Sequence, residues 1–134
     1  MKYFLYARKS SEAEERQAMS IEAQLAELRQ YAEREGITID KTFTESKSAK
    51  TPGRPVFNSM IEMIHASKEQ IGILTWHPDR LARNSVDGGQ IIYLVDQGKI
   101  AVLRFCTFWF EATPQGLFML QVAFGQSKYY SDNL

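Results

Sequence analysis

Lys2-Tyr3-Phe4-Leu5-Tyr6-Ala7-Arg8-Lys9-Ser10-Ser11 opens the chain, and this stretch decides how the rest is read. Residues 2–7 are apolar at nearly every position, without the alternation of a strand that shows one face to water. A strand of that kind is covered on both faces and belongs in a parallel sheet. The run then turns at once into polar sequence, so a buried strand ends by delivering a guanidinium and a hydroxyl into the open. A serine hydroxyl attacks only when something takes its proton and something stabilises the charge that develops on the group attacked. Arginine suits the second task on a phosphate, because its planar fork binds two oxygens and keeps its charge.

Beyond that stretch, strands and helices alternate. Ser20 caps a helix with Glu22 in its first turn, an apolar stripe of Ile21, Leu25, Leu28 and Ala32, and Gly36 at its end. Residues 37–44 predict a second strand, with Ile37, Ile39 and Phe43 alternating with polar residues. Residues 45–55 form a loop. A helix follows over 56–68, burying Phe57, Met60, Ile61 and Ile64, with His65 at its boundary. Residues 71–76 predict the third strand, which Pro78 ends. Ser85 caps a helix carrying Ile91, Ile92, Leu94 and Val95 that stops at Gly98, and residues 100–106 predict the fourth strand. The order implies an α/β fold with an open, mostly parallel central sheet flanked by helices and right-handed crossovers.

Parallel order gathers the segments after the strands along one edge, where such folds place their sites. Ser10 follows the first strand, Ser48 and Arg54 the second, and Asp79, Arg80 and Arg83 the third. The 16 basic and 16 acidic residues cancel, so no overall field holds a polyanion. Phosphate chemistry must therefore rest on local clusters, such as Lys47, Lys50 and Arg54, or Arg80 and Arg83.

Other classes are poorly served. Cys106 is the sole cysteine, which excludes an internal disulfide and a cysteine-based metal cluster, and its apolar run predicts a buried small hydrophobe. His77 and Asp79 flank Pro78 without further convincing metal ligands. No apolar segment nears the roughly 20 residues of a membrane span. The start of the chain resembles no signal peptide, so the expected location is cytoplasmic. Another phosphate-processing enzyme on a doubly wound fold would show a phosphate-cradling glycine loop or a cysteine nucleophile, and neither is present.

The last helix is unusual. Thr113 caps it, Pro114 suits its first position, and Leu117 to Phe124 are apolar nearly all round. Such a helix needs more cover than a small domain supplies, so it predicts self-association, with a central core helix as the alternative. The expected division is a catalytic α/β domain over 1–112 and the start of a long oligomerisation helix over 113–134.

Taken together, Tyr6-Ala7-Arg8-Lys9-Ser10, Ser20-Ile21-Glu22-Ala23-Gln24, Ser48 ahead of Arg54-Pro55, and Asp79-Arg80-Leu81-Ala82-Arg83-Asn84 resemble the catalytic domain of serine site-specific recombinases, the resolvase and invertase family. The resemblance covers essentially the whole chain in order. The segment between Ser11 and Ser20 is longer than in small resolvases, and residues 123–131 resemble the large members encoded by phages and transposons. It implies cleavage and rejoining of DNA strands through a 5′-phosphoserine intermediate, consuming no metal or nucleotide. On this resemblance Ser10 is the nucleophile, Arg8, Arg80 and Arg83 surround the phosphate, Arg54 is a further contact, and Tyr6, Gln24 and Ser48 support. Ser11 competes with Ser10, but strand alternation puts Ser10 on the side of Arg8. Asp79 either orients an arginine or protonates the leaving oxygen, and an unperturbed Asp, ionised at neutral pH, favours the first. Lys128-Tyr129-Tyr130 stand where many small members carry a Glu-Arg pair, so no acid is carried over there and the general base stays open. The resemblance also implies a homodimer or tetramer through Leu117, Phe118, Leu120 and Phe124, and DNA binding mainly through a C-terminal region beyond residue 134. A non-catalytic oligomerisation domain is the alternative, against which stands the retention of Ser10 with all four arginines.

Overall fold

The structure is a computed structural model that describes residues 1–9, 20–46, 49, 51–107 and 110–132, with side chains described as far as Gly125. Its elements run β1 (Lys2–Arg8), α1 (Ile21–Glu35), β2 (Thr38–Glu45), α2 (Pro55–Ala66), β3 (Ile71–Thr75), α3 (Pro78–Leu81), α4 (Ser85–Asp96), β4 (Ile100–Phe105) and α5 (Pro114–Asp132). The four strands form one parallel sheet in the order β2-β1-β3-β4. The first and third strands are central, and every residue of β1 after Lys2 and every residue of β3 is buried. Their unbroken apolar runs reflect burial on both faces.

Alternation along β1 divides the interior. Tyr3, Leu5 and Ala7 point to the side covered by α1, where Leu28, Ala32 and Leu74 join them. Phe4 and Tyr6 point to the other side, against Phe57, Met60 and Ile64 of α2, Ile91 and Leu94 of α4, and Leu120 and Phe124 of α5. Arg8 ends β1 in the same phase as Tyr6, so its side chain leaves on the α2 and α4 side.

The second strand departs from simple alternation. Tyr3 pairs with Ile39 but Phe4 pairs with Lys41, so Asp40 is an extra residue and the strand changes face there. As a result Ile37 and Ile39 pack on the α1 side, whereas Phe43 packs on the other, edge-on to Phe4 at 5.3 Å between ring centroids.

Helix ends follow their chemistry. The Ser20 hydroxyl accepts from the Ala23 amide at 3.1 Å, and Gly36 closes α1 at φ 68°, a left-handed conformation that favours glycine. The Thr113 hydroxyl caps α5 through the Gly116 amide at 3.0 Å. Two expectations need correction. Asn84, not Ser85, caps α4, because its Oδ1 accepts from the Asp87 amide at 2.9 Å while Ser85 is already helical. Residues 78–81 form a single helical turn, α3, rather than a loop. Pro78 occupies its first position, and His77 Nδ1 accepts from the Asp79 amide at 3.2 Å. Cys106 lies just past β4, half-buried rather than in the core. Burial pushes its thiol up to about 11, with the nearby Glu27 charge adding to the shift.

The last helix is in part the core helix that the sequence offered as its alternative. Leu120 and Phe124 are buried in the domain core, so they are not free for a partner as expected, while Phe118, Met119 and Val122 are exposed. Contact with α4 is close: a Cβ on Gly88 would lie 2.7 Å from the Phe124 ring. Among the described residues no helix is long and apolar enough to cross a membrane.

Candidate active site

The sheet's carboxyl edge carries the chemistry. Arg8, the last residue of β1, is fully buried rather than delivered into the open. Its Nε donates to the Arg80 carbonyl at 3.2 Å and one terminal nitrogen to the Asp79 carbonyl at 2.9 Å. The guanidinium therefore fastens the end of β1 to α3. Gln24 of α1 secures the same residue from the other face, donating from Nε2 to the Arg8 carbonyl at 2.9 Å. Thr75, at the end of β3, donates its hydroxyl to the Tyr6 carbonyl at 2.8 Å. Backbone carbonyls at a strand end lack ladder partners, and these side chains supply donors to them.

The α3 turn carries Arg80, and Arg83 follows just past its end. Arg80 is 5% exposed and Arg83 is 8% exposed. The Arg80 guanidinium lies over the Trp76 ring at 5.5 Å, and its NH1 donates to Asp79 Oδ1 at 3.3 Å. Trp76 is itself steadied by α1, its indole N–H donating to Glu27 at 2.7 Å. Among the described residues Arg80 Nε has no hydrogen-bond partner although it is buried.

Asp79 is held ionised. Burial by itself would raise its pKa, but contact with His77 and the charges of Arg80 and Arg8 outweigh it and bring the pKa below the usual value. That environment suits a carboxylate orienting Arg80 and opposes one that gives up a proton near neutrality.

Arg54 occupies a different setting from the phosphate contact expected of it. It is 1% exposed, stacked on Phe57 at 4.0 Å, and donates to the Tyr6 hydroxyl at 3.0 Å, the Leu81 carbonyl at 2.7 Å and Asp87 Oδ2 at 3.1 Å. Tyr6 in turn donates to Glu45 at 2.7 Å. Burial pushes the Tyr6 phenol far above its ordinary value, and the Glu45 hydrogen bond adds to this against the opposing charge of Arg54. The Glu45 carboxylate also accepts from the Val56 and Phe57 amides at 2.9 and 3.0 Å, capping α2 in place of Arg54, whose side chain makes no cap.

Thus the described residues bring together Arg8, Gln24, Asp79, Arg80 and Arg83 at one edge, with Tyr6 and Arg54 directly behind. Ser10 and Ser48, with Lys47 and Lys50, lie outside the described residues. Glu45, Asn84 and Asp87 belong to the same network and carried no sequence expectation of function. Asn84-x-x-Asp87 has capping-box spacing and could have announced the pair, whereas Glu45 gave no signal. Among the described residues no three His, Cys, Asp or Glu side chains gather as metal ligands.

Comparison with known proteins agrees with this architecture. The N-terminal catalytic domain of TP901-1 integrase is 24% identical over 99% of this chain and 98% of its own, with a TM-score of 0.69. A resolvase family site-specific recombinase from Streptococcus pneumoniae is 20% identical over 99% of this chain and 89% of its own, with a TM-score of 0.68. The C-terminal catalytic domain of IS1535 TnpA, an IS607-like serine recombinase, is 27% identical over 75% of this chain and 68% of its own, with a TM-score of 0.56. No curated protein matches the chain. The resolvase N-terminal domain family matches residues 3–134. With nearly every residue inside that match, the chain belongs to the resolvase family, as a serine recombinase catalytic domain.

Proposed function

We propose that this domain cleaves and rejoins DNA strands with Ser10 as nucleophile and Arg8, Arg80 and Arg83 as the cationic frame of the site. The Ser10 oxygen bonds to phosphorus as the bond to the 3′ oxygen breaks. The serine proton leaves to a base, the departing oxygen takes up a proton, and the reverse sequence reseals an exchanged end. Charge accumulates on the phosphoryl oxygens, and fixed guanidinium groups in a water-poor setting stabilise it without reorganising.

The observation that carries this reading is the junction of Arg8 with the carbonyls of Asp79 and Arg80. It ties the end of β1, two residues before Ser10, to the turn that bears Arg80, with Arg83 just past it. The end of β1 and the cations after β3 are thereby held in one frame, which supports a nucleophile at the position two residues on. Asp79, ionised, orients Arg80. Tyr6, Gln24 and Arg54 act behind it as positioning residues, and Ser48 supports from the segment after β2.

Serine recombinases act on DNA as oligomers. For this chain the exposed Phe118, Met119 and Val122 offer the contact face, so that residues 113–134 serve as an oligomerisation helix beside a catalytic unit over 1–112. With a net charge of zero, most DNA affinity comes from a region outside these residues. The setting is the cytoplasm of a cell carrying a phage or other mobile element.

The deciding experiment incubates full-length protein with DNA bearing its recombination site, quenches in denaturant and analyses peptides by mass spectrometry. DNA phosphate on a peptide modified at Ser10 is expected. An adduct at Ser11 moves the nucleophile, and no adduct on a proven site removes the catalytic reading.

A further inference from the structure

The segment 46–54 joins β2 to α2 and contains Ser48. Ala49, its described midpoint, is fully buried. Its carbonyl accepts twice, from the Arg83 amide at 3.1 Å and from Asn84 Nδ2 at 3.0 Å. Asn84 cannot swing away, because Oδ1 caps the Asp87 amide and Nδ2 also donates to Asp87 Oδ2 at 3.0 Å. The same Asp87 oxygen receives Arg54 at 3.1 Å. One carboxylate on α4 thus grips the segment at its end, through Arg54, and at its middle, through Asn84.

A helix cap alone does not account for this. Capping α4 requires Asn84 Oδ1 and the Asp87 amide, and it leaves the Asp87 carboxylate and the Asn84 amide group unassigned. Instead the carboxylate is buried at 2% exposure beside an arginine at 1%. Burying two charges is costly unless their geometry and further hydrogen bonds compensate, so such a pair marks a place where arrangement matters. Among the described residues Asp87 is the acid paired with Arg54.

We propose that Asp87 is a positioning residue of the recombinase site, holding segment 46–54 against Arg83 through Asn84 and Arg54. The inference rests on the strand-cleavage reading above. Asp87 touches no DNA. It fixes where the Arg83 backbone and Ala49 stand when the phosphate arrives. Loss of its charge lets the segment shift, and small displacements of reacting groups lower the rate steeply.

Two variants of full-length protein test it, each assayed on site DNA for single-turnover formation of the Ser10 adduct. Asp87→Asn keeps the shape and removes the charge. Asn84→Ser keeps a capping oxygen and removes the donor to Ala49. Both are expected to lower the adduct rate constant at saturating DNA by roughly tenfold or more. The half-saturating DNA concentration stays within about twofold, since neither side chain meets DNA. Amide hydrogen exchange in 46–54 accelerates in both, and Asp87→Glu recovers part of the rate by restoring the charge. Folded variants that form adduct at the wild-type rate overturn the proposal. If Asp87→Asn does not fold, Asn84→Ser decides it alone. Should wild-type protein itself form no Ser10 adduct, the catalytic reading falls, and unaltered exchange in 46–54 would then remove the tether as well.

Discussion

The Tyr6 hydroxyl stands between Glu45, to which it donates at 2.7 Å, and Arg54, from which it accepts at 3.0 Å. Through this one oxygen the ends of β1 and β2 and the start of α2 are joined inside the domain. Glu45 is 3% exposed and shares its carboxylate between the phenol and two helix amides. The arrangement satisfies a buried negative charge with three donors and sets it at the positive end of a helix.

Removing that oxygen should be felt as stability. Tyr6→Phe deprives both Glu45 and Arg54 of a buried partner, and such losses cost about 1–3 kcal/mol. The urea midpoint should fall accordingly with the slope unchanged. An unaltered midpoint would show that the phenol contributes no net stabilisation.

Arg8 should serve both folding and chemistry, and Arg80 chiefly chemistry. The guanidinium of Arg8 serves two backbone carbonyls, and Arg8→Ala leaves these short of donors at an expected cost of about 2–3 kcal/mol. By contrast, Arg80 lends the fold its carbonyl, which alanine retains, and its Nε is buried without a partner among the described residues. Arg80→Ala should therefore cost less stability than Arg8→Ala, yet slow Ser10 adduct formation by roughly a hundredfold or more. Paired unfolding and single-turnover assays check this. A large stability loss with an unchanged rate would make Arg80 a structural residue.

The two sides of α5 should respond differently to charge. Phe118→Glu and Met119→Glu place carboxylates on an exposed surface and should lower the association constant in sedimentation while leaving the melting temperature nearly unchanged. Leu120→Glu and Phe124→Glu bury a charge in the core and should unfold the domain or cost several kcal/mol. A Phe118→Glu protein that sediments like wild type would rule out that face as the contact.

Asp79 predicts the acid limb of the stability curve. Its folded pKa lies below the unfolded one, so its contribution is complete at pH values above the unfolded value of about 3.9 and is lost as pH falls through the folded value. The stability gap between wild type and Asp79→Asn should accordingly be greatest near neutrality and shrink below about pH 4. Urea midpoints over a pH series measure it, and a gap that widens toward acid would contradict the depressed pKa.

Much of this protein is written locally. The unbroken apolar residues of β1 announced a parallel sheet buried on both faces, since strands covered on both sides dispense with polar alternation. Ser20, Gly36, Thr113 and Pro114 marked helix ends, because capping depends on one residue and its immediate neighbours. The order of elements then sufficed to bring Arg8, Asp79, Arg80 and Arg83 to one edge. What the sequence could not carry was the partner of each charge. Arg8 and Arg54 read as open cations and became buried fasteners, because the carbonyls of Asp79, Arg80 and Leu81 that receive them are distant in the chain and bear no mark in sequence. The extra residue Asp40, which sends Ile39 and Phe43 to opposite faces, arises from pairing with β1 and not from the strand's own pattern. Likewise, α5 is apolar nearly all round, and only its docking on α4 decided that Leu120 and Phe124 face inward while Phe118, Met119 and Val122 face out. Local chemistry fixes where elements begin and which way their residues alternate; the long-range contacts made when they pack determine which polar groups meet.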